Sequence, residues 1–140
     1  MSELRPARKD ALLLPLVLIY GAASLLHFMH NAVYLHDYPN LPVWLTAAGV
    51  VGAWLVVAAL GALGYLLYRR VSRLAGLITI GAYGMLGFAG LDHYTIAPMS
   101  AHTVAMNLTI LLEGVAAAVL LAVVARSAFA LRVQRSKAQG

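Results

Sequence analysis

The sequence predicts an all-α integral membrane protein, four transmembrane helices packed as one bundle with both chain ends on the same side. Three observations predict it. The 140 residues are 62% hydrophobic and 11% charged, where a soluble domain runs about 45–50% apolar and about 25% charged. The apolar residues gather in four long runs. All ten Lys and Arg stand outside the first and third connections between those runs.

The first run, Ala11 to Tyr34, follows a charged leader, MSELRPARKD. Pro15 lies near its start, where a missing N–H costs little. The run is too long for the apolar region of a cleavable signal and has no small-residue cleavage site before His27, so no cleaved leader is expected. The second run spans Pro42 to Tyr68, and Pro42 suits a first helical turn. The third spans Leu74 to Leu91 and the fourth Ser100 to Phe129, with Ser100 as a plausible N-cap. Each is close to or longer than the roughly 20 residues that cross a bilayer. Backbone groups in lipid must bond within their own segment, so long apolar runs mean helices rather than strands. Pro39, Pro42 and Pro98 punctuate the first and third connections. No linker or second domain interrupts residues 1–140.

Charge sets the expected direction. Arg5, Arg8 and Lys9 precede the first run. Arg69, Arg70 and Arg73 fill the second connection. Arg126, Arg132, Arg135 and Lys137 close the chain. The excess of cations in cytoplasmic loops places both termini and the second connection in the cytoplasm, as in a bacterial inner-membrane protein. Cations spread around one membrane face are anchors, so nucleic acid is not an expected partner. The bilayer is, together with a homo-oligomer or a membrane partner subunit.

All five histidines then fall at the extracytoplasmic end: His27, His30, His36, His93 and His102. Asp37 and Asp92 join them. His27 and His30 share a face of the first helix, being three apart. On the fourth helix His102, Met106, Thr109 and Glu113 fall in a narrow arc. Polar stripes in an apolar bundle are expected to face each other and not lipid.

Imidazole suits late transition metals, carboxylates complete or orient a ligand set, and thioethers favour Cu(I). The chain has no Cys, which removes thiolate sites and thiol nucleophiles. The expected metal ligands are His27, His30, His93, His102 and Asp92, with His36, Asp37 and Met106 as a secondary set. Copper is favoured, with zinc or iron as other choices. The expected function is metal handling or metal-dependent chemistry; the sequence does not decide whether the protein is an enzyme. One alternative is a b-type haem electron carrier with two axial histidines. Another is a non-catalytic membrane subunit or scaffold, its histidines serving loop caps and lipid headgroups.

Glu113 counts to the middle of the fourth span, thirteen residues from both Ser100 and Arg126. Tyr20 and Tyr83 count to a similar depth. Tyr20, Tyr83, Thr79 and Thr109 are its expected hydrogen-bond partners, in a proton relay or as polar glue between helices. Its distance from His102, about 16 Å along the axis, sets it apart from the histidine end. Gly76, Gly81, Gly84, Gly87 and Gly90 line the third span. They suit close helix packing, or a smooth wall for a flat cofactor such as haem or a quinone.

Overall fold

A computed structural model describes residues 11–138. The leading cations Arg5, Arg8 and Lys9 lie outside the described residues. Within them the chain is all helical, with no strand. Helix α1 is Leu13–Val33, α2 is Ala47–Arg70, α3 is Arg73–Leu86, α4 is the short His93–Ile96, and α5 is Val104–Lys137. Four segments among the described residues are long and apolar enough to cross a membrane: α1, α2, α5 and the combined Arg73–Ile96. Helix α1 packs on α2 and α5, and α3 packs on the same two neighbours, so the four long segments form a ring.

The boundaries differ from the sequence expectation where side-chain caps decide them. Helix α2 begins at Ala47 and not at Pro42, because Pro42 instead opens a turn closed by the Leu45 N–H on its carbonyl at 3.0 Å. Thr46 then caps the helix by accepting from the Gly49 N–H at 3.1 Å. Helix α5 begins at Val104 and not at Ser100. The Thr103 hydroxyl accepts from the Met106 N–H at 3.2 Å, and the Met106 sulfur accepts from the Thr103 N–H at 3.4 Å. Ser100 lies instead in a 3-10 turn, Met99–Ala101. Helix α5 also runs past Phe129 to Lys137, 34 residues in all, or about 51 Å at about 1.5 Å per residue. That exceeds the thickness of a hydrocarbon slab, about 30 Å.

The third span is broken. Helix α3 stops at Leu86, and the chain tightens through Gly87 and Phe88 into a 3-10 helix, Ala89–Asp92, before α4. This break redirects the segment that carries His93 towards α1 and α5.

One end of the bundle is filled by Leu13, Val17, Tyr20, Leu77, Ile80, Tyr83, Ala117 and Leu120, all buried. Backbones approach closely here. A Cβ at Gly76 would stand 2.3 Å from the Tyr68 Cα and N, so α2 and α3 leave their turn in a contact no other residue permits. The other end is built from Tyr38, Met106 and Ile110 with the polar residues described next. The first connection is tied down there by Asn40. Its backbone is left-handed, φ 57°, which Asn tolerates, and its side-chain N–H donates to the Ile96 carbonyl at 2.9 Å.

Candidate functional site

Six polar side chains are buried in the described structure: Ser24, His27, His93, His102, Thr109 and Glu113. Three of them are imidazoles from three different segments, and they form a row. The ring centroids of His27 and His93 are 5.6 Å apart, and those of His93 and His102 are 6.0 Å apart. Tyr38 from the first connection lies against His93 at 4.9 Å and against His102 at 6.3 Å. Tyr94 packs edge-on to His102 at 5.5 Å.

Each imidazole is held through one nitrogen. His27 comes from the last two turns of α1, and its Nδ1–H donates to the Glu113 carboxylate of α5. His102 ends the 3-10 turn, and its Nδ1–H donates to the Pro98 carbonyl at 3.1 Å. His93 opens α4, and its Nε2 meets the Asn31 side-chain amide at 3.1 Å. In all three the second ring nitrogen is buried without a partner: His27 Nε2, His93 Nδ1 and His102 Nε2. A carboxylate and a backbone carbonyl, as behind His27 and His102, orient metal-ligating histidines and leave the other nitrogen for an ion, whereas the Asn31 Nδ2–H donates to His93 Nε2, so the amide has to turn over before His93 Nδ1 can meet one. Two imidazoles sharing an ion at the usual distance of about 2.0–2.1 Å have ring centroids about 5–6 Å apart. The row falls in that range. As the side chains stand, no group of three or more His, Cys, Asp or Glu among the described residues is gathered tightly enough to hold a metal ion.

The backbone accommodates this row at one further point. A Cβ at Gly90 would stand 2.7 Å from the His27 ring and 3.3 Å from the Glu113 carboxylate, so the 3-10 helix lies directly on the His27–Glu113 pair. Gly87 lies similarly against Tyr20 and Ala117. The glycines at these positions are used for packing, and the wall a flat cofactor would need is covered by protein.

The other expected site residues separate by exposure. His30 is half-buried and its Nδ1 meets the Tyr38 hydroxyl at 2.9 Å. Burial raises the Tyr38 hydroxyl above its ordinary titration range, so it remains a phenol at neutral pH. Asp92, His36 and Asp37 are exposed. Met106 is buried, with its sulfur engaged by the cap of α5.

Glu113 has a different partner from those expected. Thr79 and Thr109 hydroxyls bond backbone carbonyls on their own helices. Tyr20 and Tyr83 stack on each other at 4.5 Å, within electrostatic reach of the carboxylate. Glu113 lies in the third of α5 nearest the histidines, level with His27 of α1. It therefore belongs to the imidazole row.

Three residues in this region were not singled out by sequence reasoning: Tyr38, Tyr94 and Asn107. Tyr94 O–H donates to Asn107 Oδ1 at 2.9 Å, and Asn107 Nδ2 donates to the Met99 and His102 carbonyls at 3.2 and 3.3 Å. These bonds hold the third connection, and with it His102, against α5. The blocks HDYPN and DHY carried the two tyrosines in plain view. Their role depends on a loop fold that composition does not specify.

No family model, curated protein or solved structure matches this chain.

Proposed function

We propose that this is a small multi-pass protein of a bacterial inner membrane, with both termini cytoplasmic, that holds a transition metal ion on His27, His93 and His102 at its extracytoplasmic end. The observation that carries this reading is the row of three buried imidazoles, each oriented through one nitrogen and unpartnered at the other. A buried polar atom with no partner costs roughly 1–3 kcal/mol. Three in succession are a poor use of a core unless a ligand satisfies them. The direction of insertion rests on the cations Arg69, Arg70 and Arg73 between α2 and α3 and those ending α5, at the pole opposite the histidines.

An all-nitrogen donor set suits copper, zinc or iron. Copper is our first choice, because Cu(I) accepts two or three imidazoles without further ligands. His30, linked to the row through Tyr38, and Asp92, beside His93 in sequence, are the reserve donors. Glu113 holds His27 in place and makes it more basic, and Tyr20 and Tyr83 continue a polar line inward that a proton could follow. Packing favours an ion over a porphyrin, since Tyr20 and His27 cover the glycines that would wall a haem slot. The remaining alternative is a membrane subunit in which the row is structural.

Elemental analysis and a visible spectrum of the detergent-purified protein test the reading. About one copper per chain is expected, lost in the joint His27→Ala, His102→Ala variant. A Soret band would mean haem, and a colourless, metal-free protein after copper loading would leave the structural reading. Because the chain has no Cys, single-cysteine labelling at His36→Cys and Ala138→Cys reads the topology without background. Only position 36 should react from outside the cell.

A further inference from the structure

Helix α5 is longer than a membrane needs, and it ends at the pole opposite the histidines. The packing register fixes the height of that end. Gly87 lies against Ala117, Gly84 against Leu121 and Gly81 against Val124, so α3 and α5 run antiparallel and in step. Carried on at the same rise per residue, Arg73 at the start of α3 comes level with Arg132 of α5. Gly76 lies against Tyr68, which brings Arg69 and Arg70 to the same height across the α2–α3 turn. Helix α5 continues past that level to Lys137.

Its inward face continues as well. Val124 is buried, and Ala128 and Leu131 pack against the apolar core. Arg135 follows Leu131 by four residues and Ala128 by seven, so it extends that face beyond the core. Arg126 lies on the opposite side of the helix, with Phe129, which is 69% exposed. Arg69, Arg70, Arg126, Arg132 and Arg135 are all exposed. The described carboxylates, Asp37, Asp92 and Glu113, belong to the other half of the molecule. The leader that enters α1 at this pole adds Arg5, Arg8 and Lys9 against Glu3 and Asp10, so the excess of cations stands.

We infer that the α2–α3 turn and the end of α5 hold the phosphate of one anionic phospholipid, with Arg69, Arg70, Arg132 and Arg135 as its donors. Charge and position together choose the occupant. Guanidinium bonds phosphate through two N–H groups at once. A span of about 20 residues that starts in the first turn of α5 ends near Ala125, so Arg132 and Arg135 stand beyond the hydrocarbon, among lipid head groups. A zwitterionic head group carries its own cation into the cluster and is repelled by it. A soluble phosphate has no acyl chain to hold it there. The inference rests on reading the four segments as membrane spans. It uses neither the metal nor the direction of insertion.

Native mass spectrometry of the full chain in a neutral detergent counts retained lipid. One dioleoyl-phosphatidylglycerol per chain is expected to bind saturably, and dioleoyl-phosphatidylcholine is not. The joint Arg132→Gln, Arg135→Gln variant should weaken binding about 25-fold, about fivefold for each cation, while Arg126→Gln changes it less than about twofold. These side chains are exposed, so the melting temperature in detergent alone should hold in both variants. Equal retention of the two lipids overturns the site. An equal loss in Arg126→Gln also overturns it, because the attraction would then be a diffuse surface charge. Displacement by the same concentration of inorganic phosphate overturns the lipid assignment in favour of a free anion. A chain that stays dispersed without detergent overturns the membrane reading and this inference with it. Copper content measured on the same samples tests the metal reading separately.

Discussion

The two ends of this bundle solve the same packing problem with opposite chemistry. At the end filled by Leu77, Ile80 and Leu120, helices meet helices and glycine lets backbones touch. Every buried side chain there is apolar or a tyrosine. At the other end two of the four long segments give way to loops and short helices. The interior is closed by Tyr38 from one connection, His102 from another and His93 from the short α4. The first end is filled by apolar side chains and tyrosines, among which the Tyr20 hydroxyl is buried without a partner. The second carries buried nitrogens that packing leaves unsatisfied. In lipid, apolar side chains gain little from leaving the solvent, so a polar core is retained where it binds something or joins segments. The contrast is why the proposed site is placed at the histidine end.

Substitutions can break this contrast, and the largest effect is expected from the apolar end. Gly76→Ala drives a methyl into the Tyr68 backbone and should cost about 3 kcal/mol or more, since neither backbone can yield. Thermal unfolding in detergent would show it, with metal loss following from unfolding alone. Next is Glu113→Ala, which strips the Nδ1 partner from a His27 that is 3% exposed. Removing one member of such a buried pair costs roughly 3–5 kcal/mol, and loss of a group that orients a metal ligand typically lowers metal affinity about 10–100-fold. Glu113→Gln keeps an acceptor and should recover most of the stability but less of the affinity. Equal losses of stability and unchanged metal content in both would argue for a structural pair.

A smaller change sharpens the comparison at the backbone. Gly90→Ala places a methyl against the movable tips of His27 and Glu113 and should cost about 1–3 kcal/mol. Its signature is a loss of bound metal exceeding that of a Leu120→Ala variant of similar stability. The smallest effects belong to the exposed residues. His36→Ala and Asp92→Asn should change stability by less than about 0.5 kcal/mol and leave copper content intact. A full loss of copper in either would move the site out to the loops.

Much of the fold is readable in the residues themselves. Four apolar runs give four helical segments long and apolar enough to cross a membrane, where a helix satisfies its own backbone. The interruption of the third span was less legible. Gly87 and Gly90 read as members of a packing stripe, and nothing local distinguishes a glycine that ends a helix from one that lines it. His27 was recognisable from its spacing, since helical periodicity places it on a buried face of α1; His102 was expected on the fourth helix and stands instead at the end of the 3-10 turn, before Thr103 caps α5. The contact of Glu113 with His27 was not legible, because it depends on how the first and last helices slide and rotate against each other, which a count along one helix does not give.

The sequence by itself determined the number of spans, the segregation of Lys and Arg from His, and the polar faces of the first and last helices. These follow from composition and from the 3.6-residue period, both local properties of the chain. The tertiary structure alone decided that Glu113 meets His27, that His93 stands between His27 and His102, and that Asn31 meets His93. The His27–Glu113 and Asn31–His93 pairings join residues 86 and 62 positions apart. They depend on how helices rotate and slide against one another, which no single segment encodes.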